Sequence, residues 1–140
     1  MKKVIIVTLF LIAVNFSEAF SQAYVVVVNT SNNVASLTKK ELSDIFLKKK
    51  TKWENGSTIV PVDLVPGSSV RDNFSTQIHG KNVAAIRSFW QQAVFSGNAT
   101  APVEKSNDTE VMEYVKKNAG AIGYISSASV NAGVKQVSLK

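Results

Sequence analysis

The sequence predicts an α/β domain whose sheet is mixed and mainly parallel, and three observations predict it. Short apolar runs, several rich in β-branched residues, recur at residues 24–29, 58–65, 121–125 and 134–139, lengths that suit strands. Between them lie longer segments with helical spacing of apolar residues and recognisable caps. Strands that alternate with helices bury their apolar faces as a sheet covered by helices.

The chain opens with Met1-Lys2-Lys3, an apolar run over residues 4–14, and a more polar segment ending Ser21-Gln22-Ala23. That order is that of a secretory signal peptide. Cleavage after Ala23 is the first choice, and after Ala19 the alternative. An uncleaved anchor is the rival reading. The run falls short of the roughly 20 residues of a membrane span, and Asn15, Ser17 and Glu18 interrupt it. The chain has no cysteine, so no lipid can be attached to a Cys behind the signal. A soluble periplasmic or secreted protein is expected, with residues 24–140 forming one domain.

Residues 24–29 are continuously apolar up to Asn29, as in a strand buried on both faces. Thr38 with Glu41 forms a capping box, and Leu37 with Leu42 occupies the hydrophobic-staple positions. The helix that follows buries Leu42, Ile45 and Phe46, with Lys48-Lys49-Lys50 expected in its last turn beside the dipole. Residues 51–57 form a turn in which Asn55-Gly56 can take positive φ, and Trp53 is expected to fold back onto the core. Pro61 places the strand at 58–65 at an edge or a bulge. Ser68 or Ser69 caps a helix running through Arg71, Phe74 and Ile78 to Gly80. Asn82 caps another over residues 83–95, with Val83, Ile86, Trp90 and Ala93 or Val94 as its apolar stripe. Ser106 or Asp108 caps the last, in which Val111, Met112, Tyr114 and Val115 are apolar and which stops at Gly120 in a left-handed conformation.

The formal charge is +6, or +5 once residues 1–23 are removed. A modest excess of this kind suits small anions or anionic envelope surfaces, and equally simple solubility. The basic residues form no dense stripe interleaved with aromatics, which argues against nucleic acid as a partner. With no cysteine and a single histidine, His79, neither a thiolate nucleophile nor a multi-His metal site exists, and no cofactor is implied. His79 sits beside Gly80 at a helix end, where it reads as a partner of the helix dipole rather than a base. The spacing of Glu41, Asp44 and Glu54 singles out no acid/base pair, so an enzyme is not expected.

The leading site candidate is Gly67-Ser68-Ser69-Val70-Arg71. A strand entering a helix through a Gly/Ser turn presents free N–H groups and hydroxyls to an anion. Arg71 opposes the helix dipole there, which an intervening anion would explain; the plain alternative is an ordinary cap with Arg71 in solvent or paired with Asp72. Asp63, near the end of the preceding strand, could accept a hydrogen bond from a protonated oxyanion, or could be an exposed carboxylate.

The residues Leu42-Ser43-Asp44-Ile45-Phe46-Leu47 with Trp53 and Gly56, then Arg71-Asp72-Asn73-Phe74, Phe89-Trp90, Phe95-Ser96-Gly97, Pro102, Val111 and Gly120-Ala121-Ile122-Gly123-Tyr124 resemble the phosphate ABC transporter substrate-binding proteins. The resemblance spans about residues 25–126. It implies one lobe of the type II periplasmic-binding-protein fold and capture of a phosphate-like oxyanion. It also implies delivery to an ABC permease; an envelope interaction module is the alternative. The chain is short enough to resemble only the lobe inserted in the middle of that family's chain, so a second copy could supply the missing jaw. At the family's Arg-x-x-x-Ser-Gly-Thr positions this chain has Leu64, Ser68, Ser69 and Val70. Losing a charge-assisted donor to an oxyanion costs on the order of 1.5–3 kcal/mol, which Arg71 would partly replace.

Overall fold

In the computed structural model of the protein, residues 24–97 and 99–140 are described, and the expected signal peptide lies outside them. Tyr24–Val28 (β1) is buried at every position. It lies inside a six-stranded sheet with Ser36–Leu37 (β2), Val60–Leu64 (β3), Val103–Lys105 (β4), Ala121–Ser126 (β5) and Lys135–Leu139 (β6). Their spatial order is β2-β6-β1-β5-β3-β4. The sheet is mixed: β3 runs parallel to β4 and β5, and β2 parallel to β6, whereas β1 is antiparallel to both β5 and β6. The apolar run of β1 therefore reports burial on both faces, not parallel pairing. Neither two-residue β2 nor three-residue β4 has enough apolar periodicity to be read from sequence.

Helices cover both faces. Gly123 and Tyr124 are neighbours on β5 and so face opposite ways. On the Tyr124 side lie Lys39–Phe46 (α1) and Ser69–Phe74 (α2), through Phe46 and Phe74. On the Gly123 side lies Asp108–Lys117 (α4), whose Val111 and Val115 press so closely that a methyl at Gly123 would come within 2.7 Å of Val111. Val83–Phe95 (α3) stands apart. It buries only Ile86 and Trp90 among its residues, both outside the main core, and Val94 of the expected stripe is 52% exposed.

Several local expectations hold in detail. Both halves of the capping box form, at 3.1 Å from Glu41 N to Thr38 Oγ1 and 2.8 Å from Thr38 N to Glu41 Oε2. Asn82 caps α3, and Trp53 is buried with its indole N–H donating to the Gly120 carbonyl at 3.0 Å.

Others are corrected. α1 ends at Phe46, before the three lysines, because Lys48 adopts φ 55° and the chain reverses; the backbone N–H groups of Lys49 and Lys50 then donate to the Asp44 carbonyl. Pro61 lies on an inner strand, but the β4 ladder begins only at Val62, so its missing N–H costs no bond to β4. Asn107, not Ser106 or Asp108, caps α4, and Asp108 instead accepts from Ser126 N and Ser129 Oγ. Gly120 is not left-handed; its need for glycine is that a Cβ would run into the backbone oxygen of Thr58.

α2 continues without a break into a π-helical turn, Ser75–His79, which ends at Gly80. This turn brings His79 against the ring of Phe74, 5.7 Å away, with Nδ1 sharing a 2.8 Å hydrogen bond with Ser43 Oγ. Burial first, then the charges of Arg71, Lys81 and Lys49, lower its pKa from 6.5 to about 4. The ring is neutral at physiological pH, so it does not serve the helix dipole as a cation. The unfolded chain binds a proton at His79 below about pH 6.5 and the folded chain only near pH 4, so stability should fall as pH drops through that window. Burial of Asp63 shifts that carboxyl upward and acts in the opposite sense, so the contribution is isolated by comparison with His79→Asn. Thermal midpoints of the variant should fall less steeply between pH 6.5 and 4; identical slopes would assign the acid sensitivity elsewhere.

Candidate functional site

β3 reaches α2 through Val65-Pro66-Gly67-Ser68. Pro66 presets φ at the second position, Gly67 at the third has φ 94°, and Ser68 N donates to the Val65 carbonyl at 3.3 Å, a type II turn. A side chain at Gly67 would be strained there. Ser68 Oγ then accepts from Arg71 N at 3.3 Å and caps the helix. The N–H groups of Ser69 and Val70 open the helix and have no partner within it. Gly67 and Ser69 are exposed and Ser68 is half-buried, so the turn offers donors to solvent.

Arg71 does not project from this turn. It is 4% exposed, and its Nη1 donates to the Leu64 carbonyl at 2.8 Å and to the carboxylate of Glu104. Its partner is thus neither solvent nor Asp72. Asp63 is not an exposed carboxylate either: it is buried and accepts a 2.7 Å bond from the Tyr124 hydroxyl, which in turn accepts from Leu64 N. Burial raises the Asp63 pKa, while the Arg71 charge and the Tyr124 bond oppose the shift. The Tyr124 phenol is pushed far up by burial and by Asp63.

The five sequence candidates therefore divide. Gly67, Ser68 and Ser69 form an exposed donor turn, whereas Asp63 and Arg71 belong to the floor of a neighbouring cleft of about 430 Å³. Glu104 completes that floor, opposite Asp63 in the β3–β4 register. Arg87, Trp90, Val94 and Phe95 of α3 form one wall, and Ala101 and Pro102 the other. Glu104, Tyr124, Arg87 and Trp90 are site residues that local sequence reasoning does not single out. They reach Asp63 and Arg71 only through strand pairing and the docking of α3.

The sequence profile described as a PBP superfamily domain matches residues 17–138. The chain belongs to that family. As a PBP superfamily domain it shares its fold with an ABC-type phosphate transport receptor from Vibrio cholerae, at 21% identity and a TM-score of 0.68 over 84% of this chain and 46% of that one. A putative phosphate ABC transporter substrate-binding protein from Clostridium perfringens, whose structure contains bound phosphate, matches at 24% identity and 0.69, covering 84% and 44%. A possible phosphate binding protein from Planctomyces limnophilus matches at 23% and 0.63, covering 84% and 41%. This PBP superfamily domain thus spans less than half the length of these solved structures, as a single lobe would. No curated protein matches the chain. Among the described residues no helix is long and apolar enough to cross a membrane.

Proposed function

We propose that the protein is an exported binding lobe, not an enzyme, that takes phosphate or a similar oxyanion at the start of α2. The observation that carries this reading is the type II turn, which leaves Gly67 and Ser69 exposed and Ser68 half-buried, with two N–H groups behind them that have no partner within the helix. Ser68 and Ser69 would donate to the anion, and Arg71 and Asp63 would act from beneath, Arg71 through its remaining guanidinium N–H groups. The leader at residues 1–23 would deliver the domain to the periplasm or medium. There an ABC permease would receive the ion, and a second copy could close over it. The named relatives, a transport receptor and substrate-binding proteins, support a binding role.

A specific observation favours a second reading. Arg71 Nη1 is committed to Glu104 and Leu64 O, and Leu64 stands where the resembled family has an arginine. A lobe of this kind would keep the fold as an envelope interaction module without tight capture. Isothermal titration of residues 24–140 with phosphate separates the two. Capture predicts saturable heat at millimolar phosphate or below, weakened by about 1 kcal/mol in Ser68→Ala. An absence of heat in that range would leave only the interaction module, and sedimentation with and without phosphate would show whether a second copy joins.

A further inference from the structure

The cleft between α3 and the β3–β4 edge has properties that the oxyanion turn does not use. Its volume, about 430 Å³, lies within the range that holds small organic ligands, roughly 300–1,000 Å³. One wall carries Trp90, which is 6% exposed and whose indole N–H is buried with no hydrogen-bond partner among the described residues. That N–H is shielded from solvent, as is the unpaired Tyr24 hydroxyl in the core, so Trp90 lines the cleft through its other atoms.

The charges point to the same kind of occupant. Arg71 is held by Glu104, so those two charges offset each other at the floor. Asp63 lies behind them with its hydrogen bond to Tyr124, and burial favours its neutral form. Arg87 is exposed on α3 and forms no ion pair among the described residues, which leaves the cleft mouth with an uncompensated cation. Between the cation and the indole the surface is apolar: Val94 is 52% and Phe95 95% exposed, with Pro102 opposite. Such aromatic and branched side chains in the open are what an apolar ligand body would cover.

We infer that this cleft binds a small amphipathic organic anion, its acidic group on Arg87 and its flat apolar body between Trp90, Phe95 and Pro102. Gly67, Ser68 and Ser69 do not line this cleft, which meets the oxyanion turn only through Asp63 and Arg71 at its floor.

The test uses residues 24–140 and two fluorescent probes with closely similar apolar bodies. 8-Anilinonaphthalene-1-sulfonate carries an anionic group, and N-phenyl-1-naphthylamine lacks it. The sulfonate should bind at one saturable site, about tenfold more tightly than the neutral probe, the ratio expected of one charge-assisted contact. Arg87→Gln should remove that difference while leaving the neutral probe's affinity and the thermal midpoint unchanged. Ala101→Trp, which fills the cleft, should abolish binding of both probes and leave any heat of phosphate binding intact. Equal affinity for the two probes, no effect of Arg87→Gln, or undiminished binding in a folded Ala101→Trp variant would each overturn the assignment. Loss of phosphate heat in Ala101→Trp with probe binding retained would likewise overturn it.

Discussion

Arg71→Met is expected to destabilise the domain by about 2–4 kcal/mol, because it removes one partner from a largely buried charge network. The substitution keeps most of the apolar stem and deletes the guanidinium. The Leu64 carbonyl and the Glu104 carboxylate lose a donor, and the buried Asp63 loses the positive charge that opposes its desolvation. Glu104 is 43% exposed at its side chain and can turn to water, so most of the cost should fall on Asp63 and the Leu64 carbonyl. Chemical denaturation gives the measurement. Asp63→Asn should cost less in the Arg71→Met background than in the wild-type chain, since the amide needs no counter-charge. Equal costs in both backgrounds would show that the two groups do not act on each other. The same variant bears on function: if Arg71 serves an oxyanion from beneath the turn, the heat of phosphate binding falls along with stability.

The second large effect is expected at Phe74. Its ring stacks on Tyr124 at 3.8 Å and 5°, and meets Phe46 and Tyr24 edge-on at 4.9 Å and 5.4 Å. Truncation to alanine opens a cavity at the centre of this cluster, and a loss of about 3–5 kcal/mol follows from the transfer and cavity contributions together. Phe74→Leu should lose less, because it retains part of the volume. A thermal or denaturant midpoint of Phe74→Ala within experimental scatter of wild type would contradict the packing described here. Phe74 also holds Tyr124, whose hydroxyl fixes Asp63, so the substitution should perturb the cleft floor as well as the core.

The cleft was not legible in the sequence, and the reason is physical. Local patterns reveal groups that act through their own turn of backbone. The capping box at Thr38 and Glu41, the Asn82 cap and the Ser68 cap all depend on residues three apart, and each is formed as the pattern implies. Asp63 and Tyr124 lie 61 residues apart, and Arg71 and Glu104 lie 33 apart. No periodicity connects them. They meet because β5 and β4 flank β3, an order set by how the apolar faces pack. Arg71 shows the limit most clearly: its position in the first turn of a helix suggested an outward cation, while packing turned it inward to Glu104.

The α/β class, the turn at Gly67-Ser68-Ser69 and most helix starts are legible in the sequence, because they depend on apolar runs and on backbone groups satisfied nearby. Long-range packing set the antiparallel pairing of β1 with both of its neighbours, the π-helical turn that buries His79 as a neutral ring, and the placing of Asp63 and Arg71 in the cleft floor, away from the serines. Those outcomes follow from long-range burial. A charge taken out of water must find its partner wherever the fold brings one.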